Sequence, residues 1–263
     1  MNGAPRIVFR ADASVQIGTG HVMRCLTLAD ALRARGADCQ FICREHPGNL
    51  IDLIRSKGYT TQALLGEEHV ATPLSMSNDK PGVAHASWLG VSQSQDASAC
   101  AAILGDRRIN WLVVDHYALD ARWECALKPY FDKLLVIDDL ADRSHCCDLL
   151  VDQTFGRNVS DYQSLVSATC TLLCGSQYAL LKPEFAALRA YSLERRRDGC
   201  VQHLLITMGG VDKDNVTGRV LHALKASELP ADCRITVVMG VTAPWLADVR
   251  LAAETMPWPT TVK

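Results

Sequence analysis

The sequence predicts an α/β fold in two lobes, each built on a parallel sheet. Short apolar runs rich in β-branched residues alternate along the chain with segments of helical period, which is typical of parallel strands joined by crossover helices. A strand, a glycine turn and a helix occur in that order twice, at the start of the chain and again beyond residue 200. With 263 residues, the chain is long enough for two modest domains that each have a core.

Charge and hydropathy exclude several classes of partner. The net charge is −2 and the isoelectric point is near 6.4, so the chain lacks the basic surface of a nucleic-acid-binding protein. No apolar run is long enough to span a bilayer and no secretory leader is recognisable, so we expect a cytoplasmic protein with no membrane partner. We also expect a monomer.

Eleven cysteines raise the question of a metal site. Most of them stand in or beside apolar runs, where a thiol behaves as a small hydrophobic group, and this favours a reducing compartment. Cys146-Cys147 lies between His145 and Asp148, but the chain has no Cys-x-x-Cys or His-x-x-x-His at zinc spacing. We therefore expect buried thiols, no bound metal and no cofactor.

The first lobe begins with a strand predicted at Arg6–Arg10, followed by Gly18, Gly20 and a helix from His21 to Arg35. Glycine tolerates positive φ and has no Cβ, so this turn is suited to a closely bound ligand. Helix N–H groups and the helix dipole attract an anion such as a diphosphate, and the same field favours neutral imidazole at His21. A neutral imidazole beside a phosphate ester can act as a general base. The alternative is that His21 caps the helix or packs as a buried ring.

The rest of the first lobe continues the alternation of strands and helices. Two of its strands end in polar residues, namely Asp115-His116-Tyr117 and Asp138-Asp139. Because open α/β sheets bind ligands beyond the carboxyl ends of their strands, these residues and Asp12 predict a shared crevice, although each acidic pair taken singly is more typical of a turn or cap. A long surface loop is expected over residues 66–95. The predicted strands are Cys39–Cys43, Thr60–Leu65, Trp111–Val114, Leu134–Ile137 and an edge strand at Leu149–Val151, and the predicted helices are Asn49–Lys57, Asp96–Leu104, Ala121–Lys128 and Pro183–Arg196.

The second lobe is predicted to start near Cys200, after a charged stretch, and Gly209-Gly210 in it repeats the glycine turn. Two βα units are too few for an independent doubly wound lobe, so the sequence looks cut off in the middle of a domain. We therefore expect the region beyond Gly199 to be poorly ordered and to associate through exposed apolar surface. The predicted domains are residues 1–199 and 200–263. The predicted strands of the second lobe are His203–Thr207 and Arg234–Met239, and its predicted helices are Asn215–Ala226 and Ala243–Glu254.

Five motifs occur in a distinctive order along the chain. They are Arg10-Ala-Asp-Ala-Ser with Ile17-Gly-x-Gly-His21, Asp115-His-Tyr117, Ile137-Asp-Asp139, Tyr178-Ala-Leu-Leu-x-Pro-Glu-Phe185, and Met208-Gly-Gly-x-Asp212 with Asn215. Together they resemble the PseG family, the UDP-sugar hydrolases of pseudaminic acid biosynthesis, over roughly residues 6 to 217. A five-part match is far more specific than one glycine turn.

The resemblance implies a GT-B-like α/β fold, similar to the MurG-type glycosyltransferases, with two Rossmann-like lobes around a cleft and the second lobe truncated. It also implies hydrolysis of UDP-2,4-diacetamido-2,4,6-trideoxy-β-L-altropyranose to UDP and the free sugar, with inversion at the anomeric carbon. The family's catalytic histidine falls on His21, and its tyrosine near the sugar falls on Tyr117. The residues expected to bind the UDP-sugar are Arg10, Asp12, Gly18, Gly20, Asp115, Lys182, Gly209, Gly210 and Asn215.

Two departures from the family and two rival functions accompany this hypothesis. Lys182 stands where such proteins often have arginine, which keeps the charge but loses the bidentate fork. The family's C-terminal segment, which supplies a serine- and glycine-rich loop for the nucleotide, has no counterpart in this sequence. A GT-B glycosyltransferase would use the same cleft with an acceptor hydroxyl in place of water. A non-catalytic nucleotide-sugar-binding module would keep the glycines without needing His21 and Tyr117.

Overall fold

The computed structural model describes residues 3–66, 84–105 and 109–263. Contacts divide the chain into two units, one of residues up to Ile17 with His21–Leu181, the other of Gly18–Gly20 with Lys182–Lys263. The sequence analysis drew its boundary after Gly199, on the far side of the helix that follows Pro183. By its contacts that helix belongs to the second unit, so the boundary lies before it. The charged stretch on which the prediction relied marks only the end of the helix. Most of the long loop expected over residues 66–95 lies outside the described residues.

Seven strands of the first unit form one parallel sheet, and four helices accompany them. The strands are β1 (Arg6–Ala11), β2 (Asp38–Arg44), β3 (Thr60–Leu64), β4 (Ile109–Asp115), β5 (Phe131–Ile137), β6 (Leu149–Asp152) and β7 (Thr171–Cys174). The helices are α1 (Gly20–Arg33), α2 (Ile51–Ser56), α3 (Gln93–Leu104) and α4 (Ala121–Ala126). The strand order is β3-β2-β1-β4-β5-β6-β7, so the sheet extends in both directions from β1 and β4 at its centre.

The position of β6 differs from the prediction. Leu149–Val151 was expected at an edge, but β7 pairs with it in parallel, with Leu150 opposite Leu172. The prediction of an edge strand is therefore wrong. The Thr-Leu-Leu-Cys segment of β7 is too short for periodicity to reveal it, and only its pairing with β6 defines it as a strand.

Both faces of the first sheet are covered by apolar side chains. Alternate residues of one strand point to opposite faces, so Val8 and Phe9 belong to different clusters. On the face with Phe9, α1 buries Val22, Cys25, Leu26 and Ala29. The opposite face encloses Trp123 and Tyr162. Because β1 lies near the centre of the sheet, the helix α1 that follows it begins beside the carboxyl ends of β1 and β4.

The second unit contains a smaller parallel sheet. Its elements are α5 (Pro183–Arg195), β8 (His203–Ile206), α6 (Val216–Leu224), β9 (Arg234–Val237), α7 (Leu246–Glu254) and β10 (Thr260–Val262), with strand order β10-β9-β8. The strand β10 was missed because it has three residues and follows a proline. The core includes Ile206, Leu221, Val237 and Val249, none of them more than 3% exposed. The disorder and association expected beyond Gly199 stay predictions.

Candidate active site

A histidine–aspartate pair lies where α1 begins. His21 is the second residue of α1, and Asp115 is the last residue of β4. Because β4 pairs with β1, the helix that follows β1 starts close to the end of β4. Nδ1 of His21 lies 2.5 Å from Oδ1 of Asp115, and both side chains are buried. The other ring nitrogen, Nε2, has no hydrogen-bond partner among the described residues, so its lone pair remains available to a ligand.

Arg24 binds the same carboxylate from one helical turn further along α1. Its Nε and Nη2 donate to the two oxygens of Asp115 at 2.5 and 2.6 Å, and its Nη1 donates to Asp139 at 2.5 Å. Burial by itself would raise the pKa of Asp115, but its contact with His21 and the hydrogen bonds and charge of Arg24 outweigh it. The pKa of Asp115 therefore lies well below its usual range, and this carboxylate stays ionised beside His21.

Tyr117 connects the histidine to the second carboxylate. Its ring meets the His21 ring edge-on, with centroids 4.5 Å apart, and its hydroxyl donates to Asp139 at 2.9 Å. Burial, the charge of Asp139 and this hydrogen bond all raise the pKa of Tyr117. The phenol therefore stays protonated at neutral pH and cannot serve as a base. Neither Arg24 nor Asp139 was singled out as a site residue from the sequence, although Asp139 was recognised at the end of β5.

Arg10 and Asp12, which we expected to contact substrate, are fully enclosed. Arg10 donates to Asp12 at 2.6 Å and to Asp96 at 2.8 Å, and Arg44 donates to Asp96 at 2.6 Å. Asp96 also accepts the indole N–H of Trp123 at 2.9 Å. This network joins β1, β2, α3 and α4 inside the first unit. The sequence held no signal for it, because its partners are far apart along the chain.

His116 is part of the same network and faces Asp12. Its Nδ1 accepts the backbone N–H of Ala118 at 3.1 Å, and its Nε2 lies 3.3 Å from Oδ2 of Asp12. Burial lowers the pKa of His116 and prevails over the opposing contact with Asp12. The ring is therefore neutral, with Nδ1 as an acceptor, and protonation would cost it the bond from Ala118.

This geometry predicts acid sensitivity of the first unit. Since the pKa of His116 is lower in the folded protein than its usual 6.5, the unfolded chain binds more protons below that pH. The stabilising contribution is present above about pH 6.5 and is lost as the pH falls toward the folded pKa. We expect His116→Asn, which can still accept from Ala118, to show a weaker fall in urea midpoint between pH 7.5 and 5.5 than the wild type. An unchanged pH dependence would contradict this assignment.

The glycine turn before α1 has one constrained glycine. Gly18 has φ +81°, a conformation that favours glycine, whereas Gly20 begins α1 without positive φ. A Cβ at either position would meet no atom of the described residues within 4 Å, chain neighbours aside. The hydroxyl of Ser14 accepts the N–H groups of Gln16 and Ile17 at 3.1 and 2.8 Å and shapes the approach to the turn. The space in front of both glycines therefore stays open to a ligand.

Two residues of the fifth motif, Asp212 and Asn215, cap the start of α6. Asn215 accepts the N–H of Gly218 at 3.0 Å, and Asp212 accepts those of Val216 and Thr217, each at 2.8 Å. The first three N–H groups of α6 are therefore bound by the chain's own side chains. This helix end lacks the free donors that the sequence analysis associated with a diphosphate.

The second glycine turn is defined by close packing. Gly209 has φ +79°, and the carbonyl of Gly210 accepts the N–H of Gly240 at 3.0 Å. A Cβ on Gly240 would lie 2.1 Å from that carbonyl oxygen, so only glycine fits there. Sequence reasoning missed Gly240, which follows β9 and has no local motif to identify it. Lys182 lies exposed at the residue before α5, and its side chain does not cap that helix.

A surface pocket of about 410 Å³ lies between α6 and α7. Asn215 is at its rim, and Arg219, His222 and Lys225 line it from α6, with Asp248 on α7. Arg219 and Lys225 contribute positive charge to this pocket and Asp248 contributes negative charge, so its lining is of mixed charge.

The cysteine pair is part of the interior of the first unit. His145 lies 2.6 Å from Glu124, and the sulfur of Cys147 lies 3.6 Å from that of Cys170. Across the described ranges, no three histidine, cysteine, aspartate or glutamate side chains are grouped as a metal site would need.

Among the residues that the structure describes, no helix combines the length and apolar character needed to cross a membrane.

Comparison with known proteins identifies sequence relatives of this chain. The UDP-2,4-diacetamido-2,4,6-trideoxy-beta-L-altropyranose hydrolase of Campylobacter jejuni is 27% identical over 250 residues, which make up 95% of this chain and 74% of that protein. The chain is a sequence relative of this UDP-sugar hydrolase. The resemblance inferred from the five motifs is therefore confirmed. An uncharacterized protein of Methanocaldococcus jannaschii is 23% identical over 236 residues, 89% of this chain and 42% of that protein. No family model matches the chain.

A solved structure supports the fold class. MurG of Acinetobacter baumannii superimposes with a TM-score of 0.50 at 14% identity, covering 98% of this chain and 67% of MurG. The likeness extends over nearly all of this sequence, and both sheets are parallel, as predicted. The predicted GT-B-like α/β fold is therefore confirmed. At this identity the likeness concerns the fold alone.

Proposed function

We propose that this chain hydrolyses a UDP-sugar, UDP-2,4-diacetamido-2,4,6-trideoxy-β-L-altropyranose, to UDP and the free sugar. The observation that carries the proposal is the His21–Asp115 pair at the carboxyl edge of the sheet, in a chain 27% identical to a hydrolase of that name. The pair has the arrangement of a general base, since one imidazole nitrogen is held by a carboxylate and the other is available.

The reaction needs one proton acceptor and one nucleophile. Nε2 of His21 takes a proton from water as the water oxygen bonds to the anomeric carbon. The bond from that carbon to the phosphate oxygen breaks, UDP leaves with the electron pair, and the anomeric configuration inverts. Asp115 stabilises the imidazolium that forms, and Arg24 keeps Asp115 ionised and oriented through its two hydrogen bonds.

The other candidate residues take supporting roles in this proposal. Tyr117 stays protonated and is held by Asp139, so its ring and hydroxyl present a fixed surface beside His21. Gly18 and Gly20 admit the diphosphate, which is consistent with a Cβ at either position meeting no described atom within 4 Å. Arg10 and Asp12 are fully buried, and we assign them to the network that holds β1 to α3 beside His21. We assign nucleotide binding to the second unit, with Lys182, Gly209, Gly210 and Asn215 as the candidates from the sequence.

The assay is release of UDP from the altrose-configured UDP-sugar, with UDP-GlcNAc compared at equal concentration. In ¹⁸O-labelled water, the label is expected in the free sugar and not in UDP, because water attacks carbon. Proton NMR at early times should show the inverted anomer first. UDP release that requires an added acceptor would instead indicate a glycosyltransferase, and binding of the UDP-sugar without turnover would indicate a non-catalytic module.

We further propose that the protein acts as a cytoplasmic monomer in pseudaminic acid biosynthesis. The resemblance of the five motifs supports the pathway, and the abundance of unpaired thiols supports a reducing compartment. Light scattering coupled to size exclusion tests the oligomeric state, since a monomer of 28.8 kDa is expected.

A further inference from the structure

A group of aromatic rings surrounds Tyr117 on the segment that precedes α3. The Trp88 ring lies 5.8 Å from the Tyr117 ring between centroids, with the planes 29° apart. The His85 ring lies 4.3 Å from Trp88 and 5.5 Å from Tyr117. Both residues belong to a short helical turn that Leu89 anchors, since Leu89 is only 1% exposed. The rings are thus held against Tyr117 by the fold.

Trp88 and His85 are only partly buried, unlike the aromatic residues of the core. The indole N–H of Trp123 donates to Asp96, and that of Trp245 donates to the carbonyl of Lys213. The indole N–H of Trp88 has no acceptor in the part of the chain that the structure describes. A partly buried tryptophan whose indole N–H has no acceptor among the described residues is typical of a ligand-binding surface, where apolar area is combined with a few polar groups.

We propose that Trp88 and His85, together with Tyr117, form an aromatic subsite that binds the sugar ring of the UDP-sugar. The inference rests on the proposed function, because His21 marks where the anomeric carbon reacts and its ring contacts Tyr117. A 6-deoxy sugar presents a methyl group and C–H bonds that pack on aromatic faces. Its acetamido carbonyls can accept the indole N–H of Trp88, for which the described residues provide no acceptor.

The charges around the subsite favour an uncharged group over the diphosphate. Arg143 lies 6.0 Å from the centre of the Tyr117 ring, but its guanidinium is paired with Asp138 at 2.9 Å. Arg24 is likewise occupied by two carboxylates. Because both neighbouring cations are already neutralised, this surface suits a sugar with amide and methyl substituents.

The first test compares Trp88→Ala with Trp88→Phe, using Trp258→Phe in the second unit as the matched control. We expect kcat/KM for the diacetamido UDP-sugar to fall about 10- to 100-fold in Trp88→Ala, which loses both the ring and the donor. Trp88→Phe keeps a ring face and should fall about tenfold or less. UDP affinity, measured by calorimetry, should be unchanged in all three variants, since the subsite contacts only the sugar.

The second test separates this inference from the proposed function. Binding of the free diacetamido-trideoxy sugar is followed by saturation-transfer NMR, where its methyl protons should receive magnetisation in the wild type and much less in Trp88→Ala. Because this measurement needs no turnover, it tests the subsite even if no hydrolysis is observed. If Trp88→Ala binds the free sugar and hydrolyses the UDP-sugar as well as Trp258→Phe does, the subsite is refuted. The proposed hydrolysis would be unaffected by that result. If thermal unfolding shows that Trp88→Ala is misfolded, the subsite is tested instead with Trp88→Phe and His85→Ala. Normal sugar binding and normal turnover in both of these variants would refute it.

Discussion

Replacing His21 with asparagine is expected to lower kcat for UDP-sugar hydrolysis by about 10²- to 10⁴-fold, the usual loss when a general base is removed. The fold should persist, because Asp115 keeps the two hydrogen bonds from Arg24 that hold it ionised. UDP affinity should change little, since the proposed role of His21 concerns the attacking water. The measurements are single-turnover kinetics, calorimetry with UDP and thermal unfolding.

The matched control for this variant is His203→Asn, the same substitution at an exposed position of β8 in the second unit. It should hydrolyse the UDP-sugar at the wild-type rate. Near-normal turnover by His21→Asn would remove His21 from the mechanism. A loss of fold in His21→Asn would instead mean that the pair with Asp115 is chiefly structural, and circular dichroism distinguishes the two results.

Asp96→Asn is expected to destabilise the first unit by about 3–5 kcal/mol, because it leaves the buried guanidinium groups of Arg10 and Arg44 with one carboxylate too few. Burial alone would raise the pKa of Asp96, but the charge and hydrogen bond of Arg10 lower it to about 2. The contribution of this carboxylate is therefore present above its usual pKa of 3.8 and is lost as the pH falls through about 2. Urea unfolding at neutral pH measures the effect.

Asp52→Asn provides the comparison for this prediction. Asp52 is fully exposed and lies 3.6 Å from Arg55, so its loss should leave the urea midpoint unchanged. Equal midpoints for Asp96→Asn and the wild type would show that the buried network contributes nothing to stability.

Much of the first unit could be predicted from local sequence. The Ile7-Val8-Phe9 run, the apolar stripe of α1 and the polar residues after β4 and β5 each have a short-range signal, and the structure contains all of them. The closeness of His21 and Asp115 could not be predicted in this way, because it depends on the pairing of β1 with β4, which are far apart along the chain. The strands β7 and β10 could not be recognised, because their few residues become strands only through pairing.

The sequence by itself determined the α/β fold class, the residue types at the strand ends and the position of His21 at the start of a helix. Local periodicity and turn chemistry suffice for these features. Only the tertiary structure decided that Arg10 and Asp12 are enclosed, that Arg24 holds Asp115 and Asp139 together, and that Trp88 lies beside Tyr117. The partners in these contacts lie far apart along the chain, and hydrogen-bond geometry and burial exist only once the sheet has brought them together.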